Sequence, residues 1–193
     1  SQYRLSAHLG LAVDIYVYLL YVALGLWFGT QRSVATTPGL RRAAAALWTL
    51  IFVTLLSGGF VAGLKAGHAY NTFPLMNGSL IPDSLLVQQP LWRNFFENVA
   101  TVQFDHRVLA ITVLLGVLAL WLAGRRHSLP RQVRLGMHLL LAAGMLQVSL
   151  GISTLLLHVP IALASLHQAG ALLLFSVALY LYHRMQYGAT AAS

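Results

Sequence analysis

The chain has 193 residues, 58% of them hydrophobic and only 8% charged, with a formal net charge of +8. An ordinary soluble domain is about 25% charged, so a chain this poor in charge cannot cover a water-facing surface, and lipid must be its solvent. Cysteine is absent, which excludes disulfides, thiolate metal sites and cysteine nucleophiles; the basic residues sit in short clusters between apolar runs, with no basic face interleaved with aromatics, which argues against nucleic acid as a partner.

Crossing a hydrocarbon core of about 30 Å takes roughly 20 apolar residues per helix. The stretch Ser1–His8 has no basic region ahead of a cleavable apolar core, so it does not read as a signal peptide. The first predicted span, helix A, covers Leu5–Gly29. It carries His8 and Gly10 near its start and Asp14 further in. A carboxylate there is costly in lipid, and it reads either as a protonated, hydrogen-bonded group or as one serving proton movement. A linker over 30–42 holds Arg32, Arg41 and Arg42. Helix B follows over Ala43–Leu64, with Gly58, Gly59 and Gly63 suited to close helix contact. The connection Lys65–Phe104 is too long for a turn. Its stretch Leu91–Glu97 mixes aromatic and charged residues, and reads as an interfacial helix that is either a surface anchor or a lid over a site.

Helix C is expected over Asp105–Leu122, its start open toward Glu97. Helix D covers Val133–Leu157 and carries Gly144, Gly151 and four polar residues, Gln147, Ser149, Ser153 and Thr154, suited to interhelical hydrogen bonds. Helix E covers Ile161–Tyr182. The apolar runs are continuous rather than alternating, which sets a β-barrel aside. The expected fold is all-α: a polytopic membrane protein of five transmembrane helices, four of them (B–E) forming an up-down four-helix bundle.

Loop charge orients this bundle. Arg32, Arg41, Arg42, Arg125, Arg126, Arg131, Arg134 and Arg184 fall on one side. Arg4, Lys65, Arg93 and Arg107, diluted by Asp83, Glu97 and Asp105, fall on the other. The bias of basic residues against translocation places the first side in the cytoplasm or matrix, with the N-terminus outside and the C-terminus inside.

Eight histidines remain to be placed. His127 and His183 read as solvated at the inner flank, His138 as interfacial, and His68 and His158 as outer-loop residues. His8, His106 and His167 stand apart. They lie in the first turns of helices A, C and E, which all run from outside to inside, so the three imidazoles share a depth near the outer face. Helices C and E are diagonal in the bundle, and two histidines facing across that diagonal suit the axial positions of one haem iron. The competing reading is hydrogen-bonded packing, but three such residues at one level favour a site, because uncompensated polar groups in lipid are costly. Gly10 beside His8 and Ala169–Gly170 beside His167 offer clearance for a flat macrocycle. Arg107, with Arg4 and Lys65 on the same face, suits the haem propionates; snorkelling accounts equally well for Arg4 and Lys65.

The segments Tyr3-Arg4-Leu5-Ser6-Ala7-His8-Leu9-Gly10, Gln103-Phe104-Asp105-His106-Arg107 and Leu166-His167-Gln168 resemble those of haem A synthase. The loop Gly63-Leu64-Lys65-Ala66-Gly67-His68-Ala69-Tyr70-Asn71-Thr72-Phe73-Pro74 looks like that of its proteobacterial and mitochondrial branch. The resemblance implies a fold of eight membrane helices in two related halves. Residues 1–29 would be the last helix of the N-terminal, substrate-haem half, 30–42 a cytoplasmic linker, and 43–193 the C-terminal haem b bundle with outer loop 65–104. It implies that His106 and His167 ligate the iron of haem b, with Arg107 beside them, and that His8 ligates the substrate haem O with a partner upstream of Ser1.

The implied reaction is oxidation of a methyl group of haem O to a formyl group, by two hydroxylations and loss of water, giving haem A for cytochrome oxidase. The implied partners are the lipid bilayer, haem O and haem A, an electron acceptor, and haem O synthase or cytochrome oxidase assembly factors, in a bacterial or mitochondrial inner membrane. Two departures qualify this. The glutamate of the family's N-terminal glutamate-x-x-histidine-arginine motif has no counterpart, Gln103 standing at the equivalent position, so the catalytic carboxylate lies outside this sequence and the segment alone is not expected to act. The cysteine pairs of another branch are also missing. Two other classes of function compete: an electron-carrying b-type cytochrome without substrate chemistry, and a structural or assembly subunit whose histidines only pack.

Overall fold

The computed structural model describes residues 1–31 and 36–187; residues 32–35, Arg32 among them, and 188–193 lie outside them. In chain order come α1 (Gln2–Phe28), α2 (Pro38–Gly63), 3-10 turns at Ala66–His68 and Leu91–Arg93, a single helical turn α3 (Asn94–Glu97), then α4 (Val99–Gly124), α5 (Arg131–Leu156) and α6 (Ile161–Gln186). The five long helices have 26 or 27 residues each. At 1.5 Å per residue each is about 40 Å long, enough to cross a bilayer. The fold is all-α, and the chain is a multi-pass membrane protein.

Helices α2, α4, α5 and α6 form a ring in which each packs on the next and α6 closes back onto α2. That order puts α4 and α6 on a diagonal, as the hairpin connections predict. Helix α1 lies outside the ring in the groove between α2 and α6. Glycine makes this approach possible: a Cβ at Gly63 would stand 2.5 Å from the Gln2 Cα, and one at Gly59 2.9 Å from the Ser6 Oγ.

Two helices begin earlier than expected. Helix α2 starts at Pro38 rather than Ala43, so the last five residues of the expected linker are helical. Proline at the first position costs no hydrogen bond, and the Thr37 Oγ1 accepts from the Leu40 amide at 3.5 Å. Helix α4 starts at Val99 rather than Asp105, because the Asn98 Oδ1 accepts from the amides of Ala100 and Thr101 at 2.9 and 3.1 Å. The added residues Ala100, Thr101, Val102 and Gln103 are buried beneath the outer connection. A search for lipid-crossing length sees only the part of a helix in lipid. The expected interfacial helix over Leu91–Glu97 shrinks to a 3-10 turn and the single turn α3, with Trp92, Phe95 and Phe96 exposed.

The close-packed core fills only one half of the bundle. Leu40, Ala44, Leu47 and Ile51 of α2 meet Val113, Val117 and Leu120 of α4, Val133, Met137 and Leu140 of α5, and Phe175, Leu181 and Met185 of α6. All lie toward the arginine-rich end. An aromatic stack closes this core at mid-bundle, with Phe175 between Trp48 and Phe52 at centroid distances of 5.1 and 5.8 Å.

Candidate functional site

Beyond that stack, toward the other end, the interior is lined by polar and small residues. His106, in the second turn of α4, and His167, in the second turn of α6, face each other across the diagonal. Their ring centres are 6.5 Å apart and the rings nearly perpendicular, at 88°. Both are half-buried.

The spacing has a chemical meaning. A metal–imidazole bond is about 2 Å, and each bonding nitrogen lies roughly 1 Å from its ring centre. Two axial imidazoles on one metal therefore have centres about 6 Å apart. Among the described residues no group of three or more histidine, cysteine, aspartate or glutamate side chains could hold a metal ion. Two imidazoles alone underfill a bare-metal site, and a macrocycle with four equatorial nitrogens completes the set.

The surroundings fit such a group. The Ser57 Oγ donates to the Thr54 carbonyl at 2.6 Å and lies 2.7 Å from the His106 Nδ1. A hydroxyl has one proton, already committed to Thr54, so it accepts from the His106 Nδ1–H and leaves the Nε2 lone pair free for a metal. His167 has no such support: its Nδ1 is buried without a partner, while its backbone carbonyl accepts from the Gln147 Nε2 at 3.0 Å. Glycine shapes both rings' seats. A Cβ at Gly58 would lie 3.4 Å from the His106 Cε1, and one at Gly151 only 2.8 Å from the His167 Cε1.

These are not the small residues expected to give clearance. Gly10 packs toward Leu56, and Gly170 against Gln147. Gly10, two residues from His8, lies off its face, and the space beside Gly170 is taken by Gln147, whereas Gly58 and Gly151 come from the adjacent helices. Ser57 carries no signal in a single sequence, since its partner is 49 residues away.

Arg107 is placed at the site's edge but is occupied. Its Nη1 donates to the carbonyls of Thr72 and Leu75, and its Nη2 to that of Tyr70 at 2.8 Å. The Gln103 Nε2 donates to the same Tyr70 carbonyl at 3.0 Å. The Asn71 Nδ2 reaches across to the Leu155 carbonyl at the end of α5. The segment 66–72 is thus strapped from α4 to α5 across the mouth of the bundle, so the long connection caps the histidine pair. One guanidinium donor, the Arg107 Nε, is buried without a partner.

His8 is not brought to the pair. It is exposed on α1, outside the ring of four helices, and Asp14, Arg4 and Lys65 are exposed as well. His68, His127 and His158 are exposed; exposed His138 accepts from the Trp121 Nε1 at 3.1 Å. His183 corrects the sequence reading. Expected to be solvated, it is fully buried between Tyr21 and Tyr187, with ring centres 5.7 and 5.0 Å away. Helix α6 runs one turn beyond its apolar stretch, and α1 covers that turn.

The chain is similar to known proteins over most of its length. The chain is 51% identical over 189 residues to the haem A synthase of Nitrosospira multiformis, covering 96% of this chain and 53% of that protein. It is 48% identical over 188 residues to the haem A synthase COX15 of Bos taurus and 46% identical to that of Homo sapiens, covering 96% of this chain and 46% of each. The chain therefore spans about half the length of the curated relatives it matches. A family model described as cytochrome oxidase assembly protein matches residues 1–179, and the chain belongs to that family.

Proposed function

We propose that this chain holds a haem b between His106 and His167 and is the haem b-bearing portion of an enzyme that oxidises haem O to haem A for cytochrome oxidase. The observation that carries the reading is the 6.5 Å pairing of two half-buried imidazoles from the diagonal helices α4 and α6. A haem b held by these residues would supply one-electron chemistry. The chain's own residues bind and orient. Ser57 holds His106 in the tautomer whose Nε2 is free, Gly151 sets the position of His167, and the strap over 66–72 keeps water from the mouth. The unpartnered Arg107 Nε is the donor open to a propionate.

In this reading residues 1–29 belong with a second, substrate-binding half, and exposed His8 is a ligand to haem O there. The bundle of residues 43–193 is the haem b domain. The membrane is a bacterial or mitochondrial inner membrane, with the histidine end outside and the arginine end in the cytoplasm or matrix.

Alanine at His106 or at His167 in the full-length protein is expected to abolish the low-spin b-type spectrum. An unchanged spectrum in both variants rejects the site. Extraction of the pigments from the wild type separates the enzyme from a simple electron carrier: haem O or haem A beside haem b supports substrate chemistry, and haem b alone supports a cytochrome.

A further inference from the structure

We propose that the arginine-rich end carries a binding site for the phosphate headgroup of an acidic membrane lipid, in a cleft between the first turns of α2 and the last turns of α6. A cavity of about 390 Å³ opens there, lined by Pro38, Arg41, Arg42, Ala45, Tyr182 and Gln186. Its chemistry is that of an anion site at a membrane surface. Two guanidinium groups, one phenol and one carboxamide can donate to phosphate oxygens, while Pro38 and Ala45 offer apolar contact to the glycerol and upper acyl chain.

Charge balance says that the anion comes from outside the chain. The four acidic residues are Asp14, Asp83, Glu97 and Asp105. Asp14 lies midway along α1, and the other three belong to the outer connection or the first turns of α4. The arginine-rich end therefore has no acidic side chain of this sequence to set against Arg41, Arg42 and their neighbours. Among the described residues the one ion pair joins Arg93 to Glu97, at the opposite end. Acidic lipid headgroups lie at the depth where α2 and α6 leave the bilayer, and basic pockets between membrane helices are suited to them. A zwitterionic lipid carries its own counter-charge and gains little.

The test uses the full-length protein, delipidated in mild detergent and titrated with phosphatidylglycerol, phosphatidylcholine or inorganic phosphate, with bound molecules counted by native mass spectrometry. Phosphatidylglycerol is expected to bind at one preferred site, phosphatidylcholine far more weakly. The double variant R41Q/R42Q is expected to weaken that site about 30-fold, the product of two basic charges near the surface. The pair R131Q/R134Q, equally basic but outside the cleft, should leave it unchanged. Equal phosphatidylglycerol binding in both double variants overturns the proposal, as does equal affinity for the two lipids. Displacement of the lipid by equimolar inorganic phosphate overturns the lipid as occupant and assigns the cleft to a soluble phosphate. Should R41Q/R42Q fail to fold, Tyr182→Phe with Gln186→Leu removes two donors without touching charge. A weakening of about fivefold supports the site, and none rejects it.

Discussion

The two ends of the bundle solve opposite problems. At the histidine end the polar groups of the outer connection are mostly satisfied by its own backbone, while four buried atoms beneath it, His167 Nδ1, Gln103 Oε1, Gln147 Oε1 and Arg107 Nε, have no partner among the described residues. Asn94 exchanges hydrogen bonds with the backbone of Gln88 and donates to the Leu91 carbonyl, Asn98 caps α4 and holds the Ser84 carbonyl, and Thr101 accepts from the Leu86 amide. A loop of more than thirty residues becomes a fixed lid because its polar groups are satisfied. At the arginine end the core is tightly packed, yet its polar residues are poorly matched: buried Arg184 stacks over Phe28, and its Nε has no partner among the described residues. The histidine end is knitted together by the loop that covers it, whereas the arginine end is filled by the apolar core and charged at its surface. Pairing within the chain suits a site built to hold a group inside, and unpaired cations suit an end that meets membrane or solvent anions.

The largest effect expected from this contrast is all-or-none. If the arginine end is cytoplasmic, a membrane-impermeant thiol reagent applied to intact cells labels a cysteine at exposed Ser79 and not one at exposed Ser128. The cysteine-free background makes the signal clean. Reversed labelling overturns the orientation, and labelling at both positions overturns the span count between them.

Next come the two glycines beside the imidazoles, which sharpen the asymmetry within the histidine end. A Cβ at Gly151 meets the His167 ring at 2.8 Å, whereas one at Gly58 meets His106 at an ordinary 3.4 Å. Gly151→Ala is expected to displace the ring at a cost of about 1–3 kcal/mol, lowering the fraction of low-spin haem b by roughly tenfold. Gly58→Ala should be near neutral. Equal behaviour of the two variants would mean that the ring positions are not set by these contacts. Ser57→Ala should weaken haem b retention by about 10-fold, the lower end of what loss of a ligand's orienting partner costs. Retention at the wild-type level would show that the His106 tautomer is fixed by something other than Ser57.

How much of this was legible in the sequence follows from the range of each interaction. Composition and 20-residue windows gave five spans, because lipid acts on every residue of a helix. Histidine depth followed from helix direction, and the C–E diagonal from short connections. The start of α4, open toward Glu97 in the sequence, is fixed at Asn98 by its cap, and the burial of the turn that follows depends on the loop covering it. The glycines that seat the imidazoles were noticed only as packing residues, and Ser57 was not noticed at all, since each belongs to a helix other than that of its histidine. His183 was misplaced for a related reason: a histidine past the last apolar residue reads as solvated unless the helix that covers it is known.

The smallest expected effect concerns Arg107, where lid and site meet. Its two terminal nitrogens hold two carbonyls of the strap, Tyr70 and Thr72, and that of Leu75 just beyond it, and only its Nε is left for a bound carboxylate. The strap contacts outnumber the free donor, so the lid should depend on Arg107 more than the haem does. Hydrogen bonds from a charged donor contribute about 1.5–3 kcal/mol each when buried. This side chain is only half-buried, so solvent reduces that contribution, and Arg107→Ala is expected to speed exchange of the Met76 and Asn77 amides by roughly tenfold. Both amides bond within the strap, to the Ser79 carbonyl and the Thr72 Oγ1 at 2.8 Å each, and they loosen together if it lifts. The low-spin spectrum should persist, because His106 and His167 are anchored in α4 and α6 rather than in the strap. Hydrogen exchange followed by mass spectrometry, beside an absorption spectrum of the same sample, separates the two roles. Faster exchange with the spectrum retained identifies a clip for the lid; a lost spectrum with exchange unchanged would show that Arg107 serves the propionate first.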